Sequence, residues 1–257
     1  MKIKTIFAAS LLATGVAFAD TAAVDAECVI GVLPVALAAN QKEIILNIPW
    51  IEAGQPSEGV AVTNLVKTAG LGNNDTLLWY NKDSGYQSWR IVNNAWVPTP
   101  IVGKGSLPTT TAATATVLNR GQALILNRTG TAATNIYVVG QYASTPATAP
   151  TIAPGTPKAP VYTLIAPPNT TGSVNLKNAF STPVDGDGVT FMKDGTLKSY
   201  YYVIDYDGTS DGWCSVSFDK KQMKEVYTAA SDEQMTLPVG TGLYYKSCGT
   251  APTVSWL

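Results

Sequence analysis

Asn119-Arg120-Gly121-Gln122-Ala123-Leu124-Ile125-Leu126-Asn127-Arg128 returns in outline as Pro238-Val239-Gly240-Thr241-Gly242-Leu243-Tyr244-Tyr245-Lys246-Ser247. In both stretches a glycine breaks the chain, a polar residue follows, and a short apolar run enters what reads as a buried strand. If the two correspond, the chain is one β domain written twice. Gly121 and Gly240 are then backbone bends ahead of core strands rather than cradles for a ligand. Arg120 is matched by Val239, so its charge is not part of the repeated scaffold, and Arg120 and Arg128 stand out as residues that the fold alone does not explain.

Working outward, the flanking signals recur in the same order. Lys42 to Ile48 reads as a strand with Ile44, Leu46 and Ile48 on one face, ended by Pro49-Trp50; Tyr162 to Ile165 runs likewise into Ala166-Pro167. Val62, Leu65, Val66 and Ala69 carry helical spacing between Ser57 and Gly70, and Leu176, Ala179 and Phe180 carry it after Ser173, which predicts one short helix in each half. The turn Gly72 to Asp75 is answered by Asp185 to Gly188. In the first half a meander follows: Thr76 to Tyr80, Tyr86 to Val92, then Ala95 to Val97, and later a closing strand over Asn135 to Tyr142. In the second half, strands are expected at Val189 to Met192 and Lys198 to Ile204. Trp213 to Val216 reads as the match of Trp89 to Val92, and Pro252 to Trp256 closes the copy. Between the halves, residues 144–160 are too rich in proline for a sheet and suit an extended linker.

Ahead of all this, Lys2 and Lys4 precede an apolar run from Ile6 to Phe18 and the small-x-small step Ala17-Phe18-Ala19, the pattern of an export signal cleaved after Ala19. No later run reaches membrane length, so no span is expected once the signal is removed. The expected organisation is a signal peptide over 1–19, an arm or edge strand over 20–40, a β domain over 41–143, the linker over 144–160 and a second β domain over 161–257. The fold class expected is mainly β: two homologous antiparallel domains, each a sandwich or compact barrel with one short helix. Pro34 inside the apolar stretch Cys28 to Leu37 keeps that arm off a central strand position.

Composition removes several functions. Net charge is −1 and only 14% of residues are charged, so no long basic face exists and nucleic acid is not an expected partner. There is no histidine, which excludes Ser-His-Asp and Cys-His nucleophilic systems and histidine zinc sites. No phosphate-binding loop is present, since Gly240-Thr241-Gly242 leads into a strand, and no cofactor is expected. Three cysteines remain, Cys28, Cys214 and Cys248. In an oxidising compartment Cys214 and Cys248 are the pair to consider for a disulfide, the other reading being that all three are small buried hydrophobes.

Three constellations could carry function. Paired carboxylates would support glycoside hydrolysis, with Glu52, Glu58, Asp75 or Asp83 available in the first half and Asp187, Asp205, Asp207 or Asp211 in the second, although Asp beside Gly or Asn is commonly a turn former. The loop Asp205-Tyr206-Asp207-Gly208-Thr209-Ser210-Asp211 spaces three carboxylates around a glycine, making Asp205, Asp207 and Asp211 the candidate Ca²⁺ ligands, but it lacks the later Glu of the EF-hand loop, and a solvated turn is the competing reading. Aromatics cluster as Trp79, Tyr80, Tyr86, Trp89 and Trp96 and again as Tyr200, Tyr201, Tyr202, Tyr206 and Trp213. Strand side chains alternate, so consecutive rings must include outward ones, and Trp79, Tyr86, Trp96, Tyr201 and Tyr206 are the candidates to face a ligand.

Ile48-Pro49-Trp50, Val62 to Leu71, Asp75-Thr76-Leu77, Trp89-Arg90, Arg120-Gly121-Gln122-Ala123 and Gly140-Gln141-Tyr142 together resemble a group of secreted bacterial proteins that read as tandem β repeats with a G-Q-[AG]-[FL] strand. The resemblance covers most of the chain after the signal and is clearest in the first half; the second departs from it, with Gly240-Thr241-Gly242 at the motif. It implies export and a β fold, and it brings no activity and no catalytic residues. The expected function is a noncatalytic periplasmic, cell-surface or extracellular protein that works by binding or assembly. Its expected partners are an extracellular glycan, an envelope protein or a second copy, the last through the arm at Cys28 to Leu37 completing a neighbour's sheet. A glycan-binding module is the alternative, and a carboxylate-dependent glycoside hydrolase stands behind it.

Overall fold

The computed structural model describes residues 30–50, 60–61, 64, 66, 68–81, 85–99, 117–141, 149–168 and 172–256. The expected signal, Cys28, Glu52, Glu58 and Asp83 lie outside the described residues. The first half holds β1 (Ile30–Leu37), β2 (Glu43–Asn47), β3 (Val60–Ala61), β4 (Thr76–Asn81), β5 (Gly85–Val92), β6 (Ala95–Pro98), β7 (Val117–Leu118), β8 (Ala123–Asn127) and β9 (Thr134–Gln141). The second holds β10 (Val161–Ile165), β11 (Val174–Asn175), β12 (Gly188–Lys193), β13 (Thr196–Val203), β14 (Gly212–Asp219), β15 (Lys224–Ala229), β16 (Thr236–Leu237) and β17 (Leu243–Ser247). Two antiparallel sheets dominate, in the orders β2-β8-β4-β5-β6 and β10-β17-β12-β13-β14-β15. Each is accompanied by a two-residue pair, β3-β7 in one half and β11-β16 in the other.

The architecture is mainly β, and among the described residues no helix element is found, against the one short helix expected in each half. In the second half the apolar spacing belongs to a single turn. Ala179 N–H donates to Leu176 C=O, Asn175 Oδ1 accepts from Lys177 N–H, and Phe180 then bridges to Val254, so that Leu176, Ala179 and Phe180 all point inward. One turn of inward residues mimics helical spacing but lies below the length at which a helix sustains itself. In the first half Val60–Ala61 is strand and Val66 bridges to Val138 as Phe180 does to Val254, while Val62 and Leu65 of the expected helix lie outside the described residues. The alignment of aromatics is also corrected. Leu77 pairs with Trp89 as Val189 pairs with Tyr200, and Ile91 pairs with Trp96 as Tyr202 pairs with Trp213. Trp213 therefore occupies the place of Trp96, and Tyr200 that of Trp89.

Alternation along the strands builds three cores. On one face of the first sheet Ile44, Leu46, Leu77, Trp89, Ile91, Leu124 and Leu126 pack under β1, β9 and Trp50. Ile165, Val189, Phe191, Tyr200, Leu243 and Tyr245 form the matching face of the second sheet. The opposite faces meet each other through Ile45, Ala123, Ile125, Leu164 and Ala166, with Leu78 and Tyr244 at the margin. The four strands at this junction close on themselves. β2 pairs with β8 and β10 with β17, while Leu46 bridges to Thr241 and Ile165 to Gln122. Asn47 N–H donates to Gly240 C=O at 2.9 Å, and Ala166 N–H to Gly121 C=O at 2.8 Å. Counterparts in these pairs are separated by one constant residue offset. Gly121 (φ 88°) and Gly240 (φ 78°) both adopt the left-handed conformation that turns the chain into the junction, which is why each strand opens with glycine.

β1 pairs along its whole length with β9 and also reaches the second half. A Cβ on Gly240 would lie 2.8 Å from Val35, and Ala38 faces Gly195 at the β12–β13 turn. Of the proline-rich stretch, residues 149–160 are described: Ile152 is buried in the second core, and Gly155 N–H donates to Gly249 C=O. Arg128, unexplained from sequence, ties its own loop down, donating through Nη2 to Ala132 C=O at 2.7 Å and through Nη1 to Gln41 C=O.

Candidate binding face

The named carboxylates come first, because the structure gives two of them a clear task. Asp75 is buried, and its carboxylate accepts from Gly72 N–H (2.9 Å), Thr129 N–H (2.7 Å) and the Thr129 hydroxyl (2.7 Å). Asp187 is fully buried and accepts from Val184 N–H (3.0 Å), Cys248 N–H (2.7 Å) and the Tyr245 hydroxyl (2.7 Å). Each closes a tight turn and stitches it to the residue just beyond β8 or β17. A carboxylate whose oxygens are filled by protein donors is a structural acceptor, costly to remove.

The acidic loop is likewise spent on itself. Asp207 Oδ1 accepts from Thr209 N–H, Ser210 N–H and the Thr209 hydroxyl, and Asp211 Oδ1 accepts from Asp205 N–H. These bonds, the Thr209 N–H first, hold the Asp207 carboxyl below the usual carboxylate range. Among the described residues no three His, Cys, Asp or Glu side chains converge as a metal site would require, so Asp205, Asp207 and Asp211 are not gathered around a Ca²⁺ position.

Cys214 and Cys248 are not bonded to each other; both are free and buried. Cys248 follows β17 and Cys214 lies on β14, with β12 and β13 between them. Three strand spacings amount to roughly 14 Å, about twice the Cα separation a disulfide tolerates. Cys214 Sγ instead points at Gly212 C=O and Cys248 Sγ at Gly186 C=O. Burial pushes the Cys214 thiol up, with the charge of Asp207 adding to it.

The five aromatics expected to face a ligand divide. Trp79 and Trp96 are buried in the first core, and Trp96 Nε1–H donates to Val66 C=O at 2.7 Å, so neither is available for binding. Their strand period puts them on the core face, a distinction that clustering alone does not make. Tyr86 is exposed and packs against Tyr80 at 4.9 Å between ring centroids. Tyr201 is half-buried, and Tyr206 is half-buried beside Gly212.

One cross-strand row of the second sheet runs Tyr162, Lys246, Gly188, Tyr201, Cys214 and Ala229, each the direct neighbour of the next; Tyr162 and Ala229 are exposed, Lys246 and Tyr201 half-buried, and Gly188 and Cys214 buried. The parallel row Leu164, Tyr244, Thr190 and Ser199 runs beside it, and its Leu164 end is covered by Ile45 and Ile125 of the first sheet. Gly188 lacks a side chain, so the Tyr201 ring lies over it; a Cβ there would sit 3.1 Å from the ring. The Lys246 ammonium stands 5.4 Å from the Tyr201 centroid and donates to Gly186 C=O. Tyr162 is 55% exposed at the other end. Burial raises the Tyr244 hydroxyl's pKa well above normal, with Tyr86 and Glu43 of the first half contributing, so Tyr86 rims this strip from across the junction. Two tyrosines roughly 14 Å apart, with an ammonium between them, can stack on a flat apolar face and hydrogen-bond its polar edge. Tyr162 and Lys246 were absent from the candidates expected from sequence, since only cross-strand register brings them beside Tyr201.

Among the described residues no helix is long and apolar enough to cross a membrane. Comparison with protein-family models, with curated proteins and with solved structures finds no match for this chain.

Proposed function

We propose that this is an exported, noncatalytic protein of the cell surface or envelope, built as a tandem duplication and acting by binding, with the Tyr162–Lys246–Tyr201 strip as its contact surface. The observation that carries the reading is the contrast between adjacent rows of the second sheet: one is sealed by the first sheet at its Leu164 end, and the next carries the exposed Tyr162 with the half-buried Lys246 and Tyr201. The constant offset between junction contacts in the two halves supports duplication. The Lys2 to Ala19 pattern and the resemblance to secreted tandem β-repeat proteins support export. Among the described carboxylate candidates, Asp75, Asp187 and Asp207 are spent on turns, which favours binding over catalysis.

A glycan is the partner class that the stacked Tyr201–Lys246 pair favours, because sugar rings offer both an apolar face and hydroxyl edges. The test is retention on immobilised polysaccharides and on isolated cell envelopes, comparing the unaltered chain with Tyr162→Ala and Tyr201→Ala. Each substitution should weaken retention about tenfold if it removes a stacking ring. Retention unchanged in both variants would remove the strip from the function.

A further inference from the structure

Beyond Cys214, β14 leaves the second sheet. Its pairing with β13 spans only Gly212 to Cys214, and from Ser215 to Asp219 it pairs with β15 alone. Residues 215–229 form a two-stranded ribbon in which only Ser215, Asp219 and Val226 are even partly covered. A ribbon with no third strand and no buried face contributes little to stability, so its composition is free to serve something else. At its end Met223 is 74% exposed on a turn with φ 51°, and Phe218 is 54% exposed. Val216 and Tyr227, paired across the ribbon, extend the same apolar face toward the sheet.

The charges around Met223 are one-sided in what they offer. Lys220, Lys221 and Lys224 surround it, and among the described residues none of them is in an ion pair. The two acids nearby already take hydrogen bonds within the ribbon: Asp219 Oδ1 accepts from the Lys221 and Gln222 N–H groups, and Glu225 accepts from the Tyr227 hydroxyl at 2.5 Å. The chain as a whole is net −1, so this tip is a local reversal of sign. Exposed Met and Phe flanked by free lysines is the chemistry that seats a segment at a lipid headgroup boundary. A soluble polyanion would use the lysines but has no use for the apolar pair.

We propose that the β14–β15 ribbon docks its tip on an anionic lipid surface, holding the protein peripherally at a membrane. The test is co-sedimentation of the full chain, as the expressing cell processes it, with vesicles of mixed phosphatidylglycerol and phosphatidylcholine and with vesicles of phosphatidylcholine alone. The unaltered protein should pellet with the anionic vesicles and release as salt is raised. Replacing Lys220, Lys221 and Lys224 together by Gln should weaken binding about a hundredfold, and Phe218→Ser with Met223→Ser should weaken it about tenfold or more. All five positions are on the exposed ribbon, and an unchanged circular dichroism spectrum and elution volume confirm that each variant is folded. A Met223→Trp variant should show a blue-shifted emission increment with anionic vesicles. Equal binding to neutral vesicles, binding indifferent to these substitutions, or capture by a soluble polyanion that ignores Phe218 and Met223 would each overturn the proposal.

Discussion

The first sheet stops at β6, a four-residue strand whose Trp96 turns inward, whereas the second continues through β14 into a ribbon that buries neither face. Up to that point the two run in step: the strand order, the two-residue companion pair, the left-handed glycine and the buried aspartate occur in both. What the halves share is backbone geometry and the groups that satisfy it. What separates them among the described residues is surface, and the second half carries the ribbon, the Tyr162–Lys246–Tyr201 row and the loop at 204–211. The first sheet acts as a platform that covers part of one face of the second.

The sharpest way to test the shared scaffold is to remove the aspartates one at a time. Asp187→Ala strands the Val184 and Cys248 N–H groups and the Tyr245 hydroxyl, all donating to a fully buried carboxylate. At about 1–3 kcal/mol for each buried donor left unpaired, part of it recovered by relaxation, the loss should be about 4 kcal/mol. Asp75→Ala strands Gly72 N–H and two Thr129 donors, but Gly72 and Thr129 are exposed residues and water can replace the carboxylate, so about 2 kcal/mol is expected. Urea denaturation of both variants measures the difference. Equal losses would mean that the two turns are closed by something other than these carboxylates.

The junction offers a second break. Ala123 and Gly242 are counterparts that face each other across it, and a Cβ on Gly242 would lie 2.8 Å from the Ala123 Cβ, 2.9 Å from the Ile165 carbonyl and 3.0 Å from Ile45. Two of these three neighbours cannot rotate away, so Gly242→Ala should cost about 2 kcal/mol by overpacking. Ala123→Gly removes a methyl from the same contact and should cost about 1 kcal/mol, through a small void and the freer unfolded chain. If Gly242→Ala is neutral in the same denaturation experiment, the two sheets do not approach as closely as this geometry requires.

Much of the strand framework was legible in sequence because half-buried strands advertise themselves. β2, β4, β5, β9, β10, β12 and β13 fall within two residues of their expected limits, as alternation along β9 and, in β2, a short apolar run buried on both faces both read as strand. β15 was not foreseen, for the complementary reason: Lys224-Glu225-Val226-Tyr227-Thr228-Ala229 buries nothing and so carries no pattern. In the second half, the single inward turn at Leu176 to Phe180 reproduces the first spacing of a helix and no more. The candidate strip lay hidden for a different reason. Tyr162, Lys246 and Tyr201 are far apart in sequence, and their adjacency depends on the order β10-β17-β12-β13, a long-range fact that no local period contains.

The smallest of the expected effects comes from a difference in core chemistry. Where the first half places Ile125, Leu126 and Trp89, the second places Tyr244, Tyr245 and Tyr200 at the same register. Burial raises the pKa of all three hydroxyls; for Tyr245 the bond to Asp187 adds to it, and for Tyr244 the neighbours Tyr86 and Glu43 do. A tyrosine raised in the folded state stays neutral there after its unfolded counterpart has ionised. Its contribution is therefore fully present below the ordinary tyrosine pKa, about 10, and is lost as pH climbs from there toward the folded value. Each group steepens the alkaline decline by up to about 1.4 kcal/mol per pH unit, and Tyr244, partly open to solvent, by less. The unaltered chain should lose stability progressively above pH 10. Tyr244→Phe should flatten that limb slightly, and Tyr245→Phe more, set against its cost in hydrogen bonding to Asp187 at neutral pH. Denaturation midpoints measured from pH 8 to 11 check this. A decline equally steep in both Phe variants would place the alkaline sensitivity outside these tyrosines and erase the contrast between the two cores.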